Sequence, residues 1–329
     1  MSLPPIEIPL GAMRFNSDSS KFEYWMGSAW MQIVTEPASL FGGEVFFTMG
    51  GANKYTQTFN IITGGTAVNI DVDQLTGLHS GAAVNSKTRG VTMGGRANPS
   101  PYAQSNVIQF FEFVSRGNYA DFGDLTESKG RNTGHGDPTR GLSFGKQNAG
   151  SNVIEFITIA SKGNGTDFGD STQAREMGTA IGNRTRGCHA GGNTPGDNHK
   201  NTIDFVTIQS LGNAVDFGDE QETIYSRGGM SNSTRGLLAG GYGGTDTRIE
   251  MITIHTTGNA VTFGDLVRGG FGRSGTSSPI TGVTASGTSG QTDIEKVTLA
   301  TLGDSVDFGD LVESATYGRG MSPTHGGMI

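Results

Sequence analysis

Residues 201–219 read NTIDFVTIQSLGNAVDFGD, and the chain says nearly the same thing three more times: NVIEFITIASKGNGTDFGD at 152–170, TRIEMITIHTTGNAVTFGD at 247–265 and TDIEKVTLATLGDSVDFGD at 292–310. Each copy opens on Ile-acid-x-apolar-Thr-apolar, a period-two run rich in β-branched residues, which is a strand pattern. A Gly-Asn pair follows (Gly117-Asn118, Gly163-Asn164, Gly212-Asn213, Gly258-Asn259), with Gly303-Asp304 last. Both residue types tolerate the positive φ of a tight hairpin. A second short strand then leads into Asp-Phe-Gly-Asp, found at 121–124, 167–170, 216–219 and 307–310, with Thr262-Phe263-Gly264-Asp265 as a fifth copy. The copies start 46, 49, 46 and 45 residues apart.

A second marker keeps the same period. Thr-Arg-Gly starts at 88, 139, 185 and 234, and Thr281-Gly282-Val283 is an eroded fifth copy. It opens another strand that ends in a Gly pair, as in Thr185–Gly192 (TRGCHAGG), and a further strand precedes it around Arg175–Gly182. Four short strands per repeat of this length is the arithmetic of a propeller blade, which buries its faces only by stacking on its neighbours. Glu44–Gly51 (EVFFTMGG) aligns with a second strand that has no first strand before it, and Gly318–Ile329 (GRGMSPTHGGMI) supplies a first strand and little more. Joining them removes an open edge. The expected architecture is all-β: a six-bladed propeller with blades at 44–75 plus 313–329, 76–127, 128–172, 173–222, 223–268 and 269–312. Small residues suit its crowded axis.

Composition agrees. Of 329 residues 54 are Gly, more than twice the usual share of about 7%, and interior Gly costs a helix about 1 kcal/mol. No G-X-Y period exists, which excludes collagen. The net charge is −8 with no basic block, so nucleic acid is not an expected partner. Cys188 is the single cysteine, which excludes an intrachain disulfide and a cysteine-built zinc site. The start carries no basic and apolar signal pattern, and no run of 18 apolar residues exists. The expectation is a protein made in the cytoplasm without a signal peptide or membrane insertion.

Residues 1–43 differ from the rest. They hold both tryptophans, and Arg14–Asn16, Lys21–Trp25 and Ala29–Ile33 read as short strands. So small a unit packs on something else, and Phe15, Phe22, Tyr24, Trp25 and Trp30 are the candidate attachment residues.

The blade with its Gly pair is similar to the kelch-type propeller, with Phe122, Phe168, Phe217, Phe263 and Phe308 where kelch repeats carry Trp. The phrasing TRGLLAGG followed by IDFVTIQSLGNAVDFGD resembles repeats in structural proteins of tailed bacteriophages, notably those of cyanobacteria. Leu10–Ile33 (LGAMRFNSDSSKFEYWMGSAWMQI) resembles the G-x-x-R-F-N-S-D … F-E-Y-x-x-G-S-x-W segment of phage tail fibres. These resemblances imply a non-enzymatic virion protein, tail or tail-fibre associated. Its implied partners are other virion proteins (tail, baseplate or fibre), a host surface polysaccharide or receptor protein, and sister subunits. A head or tail cement protein without receptor role is the alternative, and a propeller carbohydrate-active enzyme the third reading.

Several motifs carry less than they promise. Asp-Phe-Gly is a kinase metal-binding triplet, but four copies at blade spacing read as structure: Phe in the core, Gly in a turn, Asp capping it. Gly270-x-Gly272-x-x-Gly275 matches a dinucleotide fingerprint without the strand and helix it needs. Arg89, Arg140, Arg186 and Arg235 recur once per repeat and are expected to pair with Asp124, Asp170, Asp219, Asp265 and Asp310. Glu155, Asp204, Glu250 and Glu295, with Gln109, recur on the third strand, where hydrogen bonding on a solvated face is expected over a calcium ring. Cys188 and His189 are strand neighbours pointing to opposite faces, and no histidine spacing fits a metal. No sialidase box occurs. Neither catalytic residues nor a cofactor or metal site is assigned.

The loops after the Gly pairs vary between repeats: Arg96–Ser105, Lys146–Ser151, Asn193–Asn201, Tyr242–Thr247 and Thr288–Thr292. Varied loops on a common scaffold build binding surfaces. They are expected on one face, with Arg96, Tyr102, His199, Lys200 and Tyr242 as candidate binding residues.

Overall fold

The computed structural model describes residues 8–16, 21–32, 43–49, 54–97, 101–196, 198–285, 287, 290–314 and 316–324. The protein is all-β, with no α-helix among the described residues and one short 3-10 turn at Gln147–Ala149. It divides into two compact units, residues 1–42 and 43–329, one residue from the division expected from composition.

The first unit contains an antiparallel three-stranded sheet, Met13–Asn16, Lys21–Trp25 and Trp30–Gln32. Cross-strand pairing sorts its faces. Phe15 stands opposite Phe22, ring centroids 5.3 Å apart, and Met13 and Met31 both stand opposite Tyr24. The other face carries Arg14 bonded to Glu23 at 2.7 Å, with Trp25 on Trp30 at 5.5 Å.

The second unit contains six sheets of four or five antiparallel strands. In a representative one, Thr179–Gly182, Arg186–Ala190, Thr202–Thr207 and Val215–Asp219 pair in that order. The first sheet joins the chain ends: Arg319–Met321 pairs with Glu44–Thr48, then Thr56–Asn60 and Val68–Ile70. The second sheet runs past its expected end at 127, because its last strand, Ala120–Lys129, bulges and regains its partner at Ser105 opposite Lys129. At the middle of the first strands stand Ala83, Gly134, Ala180, Gly229, Gly275 and Gly320, and all six border one narrow cavity of about 100 Å³. A Cβ at Gly320 would meet the Gly275 carbonyl oxygen at 2.5 Å, so these strands come together because four of the six positions lack a side chain and the other two carry only a methyl.

Each sheet is sewn to the next along its fourth strand. Gly258 N donates to Phe217 O at 2.7 Å, Ala260 N to Asp219 O at 2.8 Å, and Asp219 N to Asn259 Oδ1 at 3.0 Å. Equivalent bonds recur at every junction, including Gly65 N to Phe308 O and Ala67 N to Asp310 O between the last sheet and the first. Asp-Phe-Gly-Asp therefore lies inside the fourth strand, not after it. Its Gly is not in a turn but at a β-bulge, as the register shift between Ile203 and Asp204 records. Gly218 has φ +144°, and a Cβ there would sit 2.5 Å from the carbonyl oxygen of Gly258 in the next sheet's turn. The Phe beside it fills the core as expected: Phe122, Phe168, Phe217 and Phe263 are buried.

Two electrostatic expectations are corrected. The Thr-Arg-Gly arginines do not pair with the recurring aspartates. Arg140, Arg186 and Arg235 donate to the carbonyls of Ile208, Ile254 and Leu299 in the next sheet, at 2.9–3.0 Å. Arg89 donates likewise to Ile159 O and pairs with Glu112. Arg186 also lies 4.5 Å over the Phe205 ring. The third-strand acids are not solvated: Glu155, Asp204, Glu250 and Glu295 are fully buried, because both faces of each sheet are covered. Each accepts the N–H two residues beyond an Asp-Phe-Gly-Asp or its equivalent, from Thr126, Thr172, Gln221 and Val267, and Gln109 and Gln57 do the same from Leu75 and Val312. Each acid also faces a buried cation: Lys129, Arg175, Arg227 and Arg273 respectively.

Three substitutions check this scheme in denaturant melts. Arg175→Ala strands the Asp204 carboxylate in a dry site and should cost about 3–5 kcal/mol. Arg186→Ala loses one hydrogen bond and a ring contact and should cost about 1–2 kcal/mol. Gly218→Ala should cost more than about 1 kcal/mol, and more than Gly212→Ala, whose φ is also positive but whose Cβ meets nothing.

Candidate binding surface

The segment entering each first strand passes through one residue in the left-handed region: Ser80, Arg131, Met177, Ser226, Gly272 and Tyr317, with φ between 52° and 71°. Except for Gly272 these are side-chain-bearing residues, for which that conformation is uncommon. It is held by a chain of backbone bonds. Met177 N donates to Arg131 O, Ser226 N to Met177 O, Gly272 N to Ser226 O, Tyr317 N to Gly272 O and Ser80 N to Tyr317 O, at 2.8–3.2 Å. Five successive bonds thus cross from sheet to sheet at the end of the cavity where the first strands begin.

The loops after the second strands lie at this same end, because each second strand runs antiparallel to the first. Glu176 bridges to Asn193, Tyr225 to Tyr242, and His79 to Arg96. Residues 98–100, 197 and 288–289 of the expected loops lie outside the described residues.

On this face the rings form an arc. His199 stands 4.8 Å from Tyr225 and 6.1 Å from Tyr242, Tyr225 5.3 Å from Tyr242, Tyr242 5.4 Å from Phe271, and Phe271 6.3 Å from Tyr317. Tyr102 meets His79 edge-on at 6.1 Å, and the Arg96 guanidinium lies 4.7 Å over the Tyr102 ring. Tyr102 and Tyr242 are 40% and 48% exposed, a large apolar share for rings that nothing in the fold requires at the surface. Of the five candidate residues, the structure brings Arg96 to Tyr102 and His199 to Tyr242. Lys200 stands apart, tied through its backbone to Gly192. The sequence reading missed His79, Arg131, Tyr225, Phe271 and Tyr317. They sit at or beside the left-handed position, in the same register as the repeat markers, and that register was the available signal.

The candidate attachment residues lie in the first unit. Phe15 and Phe22 are 57% and 55% exposed, while Tyr24, Trp25 and Trp30 are half-buried and Arg14 lies 4.2 Å over the Trp30 ring.

The buried reactive groups are structural. Cys188 packs among Ile181, Ile203 and Phe217, and burial pushes its thiol up to about 12. His189 points to the other side, towards Arg175 and Asp204. Burial, then the Arg175 charge, holds it down at about 3, and burial holds His135 down at about 4. Of the dinucleotide-like glycines, Gly272 belongs to the backbone chain of bonds and Gly275 lines the cavity. Among the described residues no group of three or more His, Cys, Asp or Glu is arranged to hold a metal. Comparison with known proteins finds no family model and no curated relative that matches this chain.

Two outcomes follow. Cys188 should resist an aromatic disulfide reagent in the folded protein and react after unfolding; rapid labelling of folded protein would contradict its placement. On acidification below about pH 6.5 the unfolded chain protonates His79, His135 and His189, while the folded chain holds all three neutral to about pH 4 or below. Glu220, pushed up to about 8 by burial, opposes them with one proton. The unfolded chain therefore binds about two protons more, and stability falls by about 2.7 kcal/mol per pH unit between 6.5 and 4.5. The urea midpoint should be lower at pH 5 than at pH 7, and a higher one would contradict this.

Proposed function

We propose that this chain is a structural protein of a tailed-phage virion, associated with the tail or its fibres. In this reading the six sheets are the blades of a closed, kelch-like six-bladed propeller, and the loop face presents a recognition surface to the host or to neighbouring virion proteins. Residues 1–43 attach it to the particle or to sister subunits. The fold reading is supported by a cavity bordered by all six first strands, by the pairing of Arg319–Met321 with Glu44–Thr48, and by seam bonds at every junction. The virion reading is supported by the resemblance of the repeats and of Leu10–Ile33 to phage structural segments.

One observation carries the recognition role: partly exposed aromatic rings and a guanidinium, drawn from several sheets, gather at one end of a rigid scaffold. Aromatic residues and Arg are the groups that dominate binding surfaces, and a repeated frame with local variation is how such surfaces are made. The exposed face of Met13, Phe15, Phe22 and Met31 supports the attachment role, and would serve a cement protein equally well.

The two roles separate in one assay. Soluble chain should compete with phage for adsorption to host cells, and the double variant Tyr102→Ala/Tyr242→Ala should lose that competition while keeping its melting temperature. Competition by neither protein, with chain still incorporated in the particle, would favour the cement role.

A further inference from the structure

The face described above has one electrostatic irregularity. The Arg96 guanidinium is stacked on Tyr102, and among the described residues no carboxylate pairs with it. Its Nε is buried, with no hydrogen-bond partner among the described residues. The stem of Arg96 packs on the backbone of the next sheet, where a Cβ at Gly130 would fall 2.7 Å from its Cγ. This seats it beside Arg131. Arg131 pairs with Glu176 at 2.6 Å, and the second oxygen of that carboxylate accepts the Asn148 N–H. The one carboxylate near the two guanidiniums is thus bonded to Arg131 and acts on Arg96 only through space, on a chain whose net charge is −8. Burial together with the charges of Arg96, Arg319 and Arg131 holds His79, next to them, down at about 4, so it stays neutral.

A partly desolvated guanidinium without a counter-ion is unfavourable, and its planar fork matches an oxyanion bidentately. The flanking rings, Tyr102 and half-buried Tyr317, offer flat apolar faces with polar rims. Resting on the reading of this face as a recognition surface, we propose that Arg96 and Arg131 bind the carboxylate of an acidic saccharide, whose ring packs against Tyr102 and Tyr317. An isolated phosphate would use the guanidiniums and leave the rings idle.

Calorimetry on the full chain at low salt tests this, with tetragalacturonate as the probe and its methyl ester and inorganic phosphate as comparators. Tetragalacturonate should bind saturably, and the neutral ester and phosphate should bind at least tenfold more weakly. Arg96→Gln should weaken binding by about tenfold or more with unchanged melting temperature, as expected for a lost charge-assisted hydrogen bond, and Arg131→Gln should weaken it as much while also lowering the melting temperature, because Glu176 loses its ion pair. Gly130→Ala, which displaces the Arg96 stem and removes no charge, should weaken it too. Wild-type chain that ignores tetragalacturonate, prefers phosphate, binds the ester equally well or binds unchanged in Arg96→Gln would overturn the subsite. The assay uses no cells or particles. A chain that blocks adsorption but ignores tetragalacturonate overturns the subsite alone, and one that binds it through Arg96 yet fails to block adsorption counts only against the recognition role.

Discussion

The contact on which everything else depends is the seam between each fourth strand and the hairpin turn of the next sheet. In five of the six sheets a glycine at a bulge there lets a neighbouring carbonyl come as close as its missing Cβ would have stood, the first sheet carrying Val72 at that place, and backbone N–H groups on both sides find acceptors across the seam. A sheet that is covered on both faces has no room for unpaired backbone groups. The seam satisfies them, and in doing so sets the spacing between sheets. The buried phenylalanines, the third-strand acids with their cations, and the arginines that reach the next sheet's carbonyls all depend on that spacing. The seam recurs between the last sheet and the first, which supports the proposed closed ring over an open array with exposed edges.

The loop end follows from the same constraint. Six first strands converge on small residues, and the segments feeding them are bound to each other through left-handed residues. The residue types at and beside those positions differ from sheet to sheet. Tyr225, Phe271, Tyr317 and Arg131 occupy them in different sheets, while the backbone stays the same. A rigid frame with varied side chains at one rim is well suited to recognition, because ordering costs are met on folding and not on binding.

Much of this was legible in the sequence. Alternation and turn chemistry give the strands, and the two markers of equal period give the sheets, down to the pairing of the chain's two ends. Other features were hidden for definable reasons. Gly218 reads as a turn residue, and only the neighbouring sheet reveals that it is an approach point. Arg186 was expected to seek an aspartate, but its acceptor is the backbone carbonyl of Ile254, and carbonyls have no sequence signature. Glu155 and its counterparts alternate like solvent-facing residues; alternation does not tell that the second face is covered as well. Four of the seven rings escaped notice because His79, Tyr225, Phe271 and Tyr317, at or just before the left-handed residue, share a place in the repeat and not a residue type.

The central claim is that this chain is carried on a phage particle with its loop face outward. Immunogold electron microscopy of purified particles, with antibody raised against residues 43–329, tests it most directly. The account predicts label on tail fibres or the baseplate. Particles that carry no label anywhere would contradict it.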